Sequence, residues 1–244
     1  MFKDRVFYVY LVILSILFIG IGSAENIDRY LTSKQRASYH QYTPFGLSVE
    51  EKEAKKSVVK VNTALGHGSG FYIKPNYIVT NYHVVEGFKG KVYMKPTIYE
   101  ISTEKSYEGL VIHADPLTDT AVIYTPKNIG VPIKGVSMAL PEIGTTIFYW
   151  GNPSEYTGSF ARGYVVNNSR IIDILPGSRS YQVNLPILGG SSGSPVFNKQ
   201  GLLIGVVYAA STKNSQFAFI SPAASFYHKT MFAIKFHMIL IDEE

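Results

Sequence analysis

No cysteine occurs anywhere in the 244 residues, which removes disulfides, thiolate metal sites and a cysteine nucleophile together. Charge is sparse, at 17% of residues, and the formal excess of +5 is scattered along the chain rather than gathered on one segment. Scattered, mildly basic charge reads as solvated surface, so nucleic acid is not an expected partner. Long, clean helical periodicity is also missing between residues 57 and 222, which turns attention to strands. A single tryptophan stands against 18 tyrosines and 14 phenylalanines, and aromatics in that number suit half-buried pleated surfaces. With 46% hydrophobic residues the chain holds enough apolar material for one domain or two tightly fused halves.

Residues 1–24 combine a basic start (Lys3, Arg5), an apolar stretch from Val6 to Gly22 and small residues at Gly22 and Ala24. That order predicts a signal peptide or a membrane anchor, hence a protein outside the cytoplasm: secreted, periplasmic or tethered through its N-terminus. Residues 25–46 read as a polar linker, and Ser48-Val-Glu-Glu51 as a capping box opening a short charged helix that runs to about Lys56. Two sets of six strand candidates follow. The first is 58–61, 70–73, 77–80, 91–94, 107–112 and 121–124; the second is 145–150, 159–166, 180–184, 194–197, 202–208 and 216–220. Short strands at this spacing, separated by turn residues, predict an all-β fold of two antiparallel six-stranded barrels, over residues 47–135 and 136–223. In the tail over 224–244, Phe232, Ile234, Phe236, Met238 and Leu240 alternate as a strand would. Gly66-His-Gly-Ser-Gly70 lacks the Lys-Ser/Thr of a phosphate loop and reads as a hairpin turn, and His67 within it has no metal-spaced partner and no assigned role.

Three segments carry chemistry. A serine hydroxyl is almost never ionised near neutral pH, so as a nucleophile it needs a base within hydrogen-bond reach and a third group to orient that base. Of the six histidines, only His83 closes a β-branched, apolar run (Ile78, Val79, Thr80) that would hold its ring on a rigid strand end. Asp119 opens the apolar run Thr-Ala-Val-Ile-Tyr and is the candidate orienter, whereas Asp115 precedes Pro116 and reads as a turn residue. The cluster Ser191, Ser192 and Ser194 allows two registers. Gly189-Gly-Ser191-Ser-Gly193 satisfies the G-x-S-x-G elbow, but that elbow needs an acid and then a histidine downstream, and no Asp or Glu lies between Ser191 and either His228 or His237. Gly190-Ser-Ser192-Gly-Ser-Pro needs histidine first, aspartate second and serine last, which is the order present.

These motifs, together with Gly68-Ser-Gly-Phe-Tyr-Ile, Trp150-Gly-Asn-Pro, Gly201-Leu-Leu-Ile-Gly-Val and Phe217-Ala-Phe-Ile-Ser-Pro, resemble a trypsin-like serine protease of the chymotrypsin fold, on its Deg/HtrA-like branch. The resemblance covers roughly residues 55–225 and implies a serine endopeptidase acting on polypeptide substrates, with His83 as general base, Asp119 as its orienter and Ser192 as nucleophile. It also implies an oxyanion hole from the backbone N–H groups of Gly190 and Ser192, and a closing helix in the tail. The primary specificity pocket would be lined by Ile187, Leu188, Val207, Tyr208 and Ala209. With no acid among these residues to pair a basic side chain, cleavage is expected after small or medium aliphatic residues, in extracytoplasmic quality control or processing. No cofactor or metal is called for. Ser194 stands where most such proteases have a second glycine, and the PDZ domain that many of them append is not expected within these 244 residues. A catalytically silent protease fold used as a binding module or tethered scaffold is the alternative, and nothing in the pattern specifies an oligomeric state.

Overall fold

Short β-branched and aromatic runs become strands throughout the computed structural model, which describes residues 46–87, 90–126, 130–154, 156–171, 179–211 and 216–242. The expected anchor and nearly all of the linker lie outside the described residues. Helix α1 (Val49–Lys55) opens on the expected capping box: Ser48 Oγ accepts from the Glu51 N–H, and the Glu51 carboxylate accepts from the Ser48 N–H.

The N-terminal sheet comprises β1 (Val58–Thr63), β2 (Gly66–Lys74), β3 (Tyr77–Thr80), β4 (Thr97–Glu100), β5 (Lys105–Glu108), β6 (Leu110–Asp115) and β7 (Thr120–Tyr124), in the order β5-β4-β1-β2-β3-β7-β6. The first half is therefore seven strands by pairing rather than a closed ring of six. Its two edge strands, however, are consecutive and separated only by Gly109. The Gly109 N–H donates to the Pro96 carbonyl and the Val111 N–H to that of Met94, each at 2.9 Å, so one bent stretch passes from one edge of the sheet to the other. The expected strand over 91–94 is a correction. Around Gly87 and Gly90 the chain folds back on itself, the Tyr93 N–H donating to the Val85 carbonyl, and only the isolated bridge of Glu86 with Val92 forms there. Pro96 offers no N–H, and regular pairing starts just after it.

The second half, β8 (Thr146–Gly151), β9 (Ser159–Ile171), β10 (Arg179–Asn184), β11 (Pro195–Asn198), β12 (Leu203–Ala210) and β13 (Phe217–Pro222), is a closed barrel in the order β10-β13-β12-β11-β8-β9. Among the described residues every ladder between these strands is antiparallel. The period of two along β2, β3 and β7 sorts side chains between two cores. Tyr72, Ile78 and Ile123 turn into the N-terminal sheet. Phe71, Val79 and Val122 turn outward and join Phe148, Trp150 and Phe197 of the barrel.

The tail is a helix, α3 (Ala223–Asp242), as the resemblance implied. Its buried residues Ala223, Phe226, Thr230 and Ile234 recur every three or four positions, the spacing of one helical face. Phe232 and Phe236 of the alternating set point to solvent, so the strand-like alternation has no structural counterpart.

Candidate active site

His83 sits on a one-turn helix, α2 (Tyr82–Val85), just beyond β3, rather than on the strand end itself. The Asp119 carboxylate holds it twice: Oδ2 accepts from Nδ1 at 2.8 Å and Oδ1 accepts from the His83 backbone N–H at 3.0 Å. Because Nδ1 donates, Nε2 is left as the basic nitrogen. The Asp119 side chain is 10% exposed while that of His83 is 40% exposed, so a shielded carboxylate backs an accessible imidazole. Asp119 itself has φ 49, a left-handed conformation that costs a non-glycine residue about 1 kcal/mol or more. Asn81 Nδ2 donates to the Asp119 carbonyl at 2.9 Å and helps to hold it there. Asp115, expected in a turn, is the last residue of β6 and caps the turn that follows: its carboxylate accepts from the Leu117 N–H and the Thr118 hydroxyl, and also from Lys229 Nζ of α3.

The serine loop runs between β10 and β11. Ser191 is fully buried, its Oγ accepting from the Leu188 N–H at 3.3 Å, whereas Ser192 is half-buried. Gly190 has φ +89. The Ser192 carbonyl accepts from the Ser69 N–H at 2.7 Å, and the Gly190 carbonyl accepts from Ser69 Oγ at 2.9 Å. Neither the Gly190 N–H nor the Ser192 N–H donates a hydrogen bond among the described residues, so both donors remain available. The serine loop and the histidine helix meet over Gly68, where an added Cβ would lie 2.6 Å from Val84 and 3.0 Å from the Ser192 carbonyl. No hydrogen bond links Ser192 Oγ to His83 among the described residues. Such links are often open without substrate and tighten when it binds. The hydroxyl of Ser194, the residue in place of a second glycine, is buried without a hydrogen-bond partner.

Of the expected pocket residues, Ile187, Val207 and Tyr208 are buried, and Leu188 and Ala209 are half-buried. Tyr208 Oη shares a 2.7 Å hydrogen bond with Ser180 Oγ. Burial pushes its phenol up to about 12, with the charge of Asp119 adding to the rise and the Ser180 bond opposing it. Ser69, Asn81 and Asn152 carry no role legible in the sequence alone. Asn152 is fully buried, and its Nδ2 donates to the Val59 carbonyl at 2.9 Å while its Oδ1 accepts from the Gly158 N–H at 3.1 Å. The available signal was a small polar residue inside an otherwise apolar or glycine-rich motif, Gly-Ser69-Gly or Trp-Gly-Asn152.

A carboxylate–imidazole pair from one β half, set against a serine loop from the other, defines the chymotrypsin-like class of β-fold hydrolases. Residues 68–206 match the profile of the trypsin-like peptidase domain, more than half of the chain, and the chain belongs to that family. It is 33% identical over 168 residues to "Protease Do-like 1, chloroplastic" of Arabidopsis thaliana, covering 64% of this chain and 37% of that protein. It is 30% identical over 167 residues to a "Probable periplasmic serine endoprotease DegP-like" of Brucella suis, covering 66% and 31%. The chain thus spans about a third of the length of these relatives. The serine endoprotease from Yersinia pestis shares its fold, with a TM-score of 0.62 at 22% identity over 78% of this chain and 68% of that one. The active form of the Rv3671c protease from M. tuberculosis does so with a TM-score of 0.61 at 22% identity, over 76% and 90%.

Proposed function

We propose that this chain is a serine endopeptidase in which Ser192 attacks a peptide carbonyl while His83 Nε2 takes its proton. The Gly190 and Ser192 N–H groups hold the oxyanion, and His83 then protonates the leaving amine. Water attacks the resulting acyl-enzyme with His83 again as base, which regenerates the serine. The observation that carries this reading is the two-point grip of Asp119 on His83, because it fixes both the tautomer and the direction of Nε2. Burial of Ser191, with its Oγ engaged by Leu188, favours Ser192 as the nucleophile.

The apolar residues around the serine loop support cleavage after small or medium aliphatic side chains. The basic start and apolar run of residues 1–24, together with relatives named as periplasmic and chloroplastic proteases, support a role outside the cytoplasm, in quality control or processing. Labelling by a fluorophosphonate tests the chemistry. The wild-type chain and Ser191→Ala are expected to label, and Ser192→Ala to lose labelling and about a millionfold in turnover. Labelling lost in Ser191→Ala but kept in Ser192→Ala would reverse the register, and a folded wild-type chain that never labels would be a binding module.

A further inference from the structure

The stretch Gly66-His67-Gly68, expected as a hairpin turn, instead opens strand β2, with the turn itself at Ala64 and Leu65, and the imidazole between the glycines does not point idly to solvent. His67 is half-buried, and its Nε2 lies 3.2 Å from the Asn152 carbonyl. A carbonyl only accepts, so Nε2 carries the proton in this bond. The same ring lies against Gly190: a Cβ added there would stand 2.6 Å from His67 Nε2 and 2.5 Å from the Asn152 carbonyl. Histidine and carbonyl together occupy the space beside the first donor of the proposed oxyanion hole.

That donor needs bracing. The loop enters through Gly189 and Gly190, two residues without side chains, and glycine backbone is the most mobile. Gly190 is held at φ +89, and rotation of the peptide before it would swing its N–H out of the cleft. The plane that carries this N–H is tethered at its other end, the Gly189 carbonyl accepting from the Ser154 N–H at 2.6 Å, and the next plane is tethered through the Gly190 carbonyl, which accepts from Ser69 Oγ at 2.9 Å. Ser69 Oγ also accepts from the Asn152 N–H at 2.9 Å, so Ser69, Asn152 and His67 form one contiguous brace around the loop. Within it, His67 and the Asn152 carbonyl lie against the Cα of Gly190, the hinge between those two tethered planes.

We infer that His67 is a positioning residue for the oxyanion hole, holding the Gly190 N–H in the donating orientation through ring contact and its bond to the Asn152 carbonyl. This rests on the peptidase reading above. Losing one oxyanion donor outright costs about 10²–10³ in kcat, and losing a brace that leaves the donor present part of the time costs less. His67→Ala is therefore expected to lower kcat by roughly tenfold, with KM within about twofold and the melting temperature unchanged. His67→Gln, which can return an N–H donor to the same carbonyl, is expected to recover kcat to within about threefold of wild type.

The experiment is steady-state cleavage of an aliphatic-P1 peptide substrate by the full chain, with thermal melts of each variant and Ser192→Ala as control. A His67→Ala variant with wild-type kcat overturns the inference. So does a loss of kcat that His67→Gln fails to repair, because that outcome marks His67 as a packing residue only. An active wild type with an inert Ser192→Ala leaves the peptidase reading standing whichever way His67 falls. An inert wild type removes that reading and this inference with it.

Discussion

At the scale of single residues, Asp119 combines an unfavourable backbone with a demanding task. Its φ of 49 is tolerated by aspartate and asparagine better than by most side chains, because their short polar groups bond locally. Asp119→Asn should therefore keep the fold while replacing one acceptor oxygen by a donor. An amide nitrogen facing Nδ1 favours the tautomer with Nε2 protonated, which cannot take the serine proton. We expect kcat to fall about 10⁴-fold with little change in melting temperature, measured by peptide hydrolysis and calorimetry in parallel. A fall below tenfold would mean that Asp119 only packs against the imidazole. Its rival Asp115 ends β6 just before Pro116 and spends its carboxylate on the turn that follows, through the bonds from Leu117 and Thr118. The local pattern around His67 names no partner, because the Asn152 carbonyl that it meets lies 85 residues further along the chain.

At the scale of elements, α1 is a seven-residue helix and too short to stand alone in water. Glu51 ties it down. Its carboxylate completes the capping box and takes Arg162 of β9 through Nε and Nη2, each at 2.6 Å, while its backbone carbonyl accepts from Trp150 Nε1 at 2.8 Å. Burial alone would raise the Glu51 carboxyl, but the bonds from Arg162 and Ser48 outweigh it and hold the group below the ordinary glutamate value. A group whose folded value is depressed stabilises the fold above its unfolded value and loses that contribution as pH falls through the folded one. The Glu51 contribution is thus complete at neutral pH and declines from about pH 4.3 downward. Glu51→Gln, which leaves Arg162 without its charge partner, should be about 3 kcal/mol less stable than wild type at pH 7. The gap should shrink toward acid pH, as read from urea unfolding at pH 7 and pH 3. An equal gap at both values would assign the loss to packing. The capping box was legible because it is written in four consecutive residues. The tail was harder: alternation of large apolar residues pointed to a strand, while the stripe that decides burial runs through Ala223, Phe226, Thr230 and Ile234.

At the scale of the whole molecule, α3 follows the last strand of the barrel yet returns to the N-terminal sheet. Lys229 reaches Asp115 at 2.9 Å, and His237 shares a 3.2 Å contact with Tyr77 Oη. Substrate selection also belongs to this scale, since the candidate pocket combines the approach to the serine loop with β12. No acid stands among Ile187, Leu188, Val207, Tyr208 and Ala209 to neutralise a buried cation. Digestion of a peptide library should yield cuts after Val, Ala, Ile and Leu, at least tenfold over Lys or Arg, since an unpaired buried charge costs several kcal/mol. A preference for basic residues would overturn the assignment. By itself the sequence determined the strand-rich character, most strand positions, the capping box and the order of His83, Asp119 and Ser192. Those features are local, carried by a period of two, by turn residues and by short motifs. Tertiary structure alone decided that the first sheet is completed by one strand bent at Gly109, that His83 rides on a turn of helix, and that His67, Ser69 and Asn152 gather around Gly190. Those contacts join residues 85 and 121 positions apart. A bond across such a distance forms only when separate strands are brought together by burial, and it leaves no period in the chain to be read.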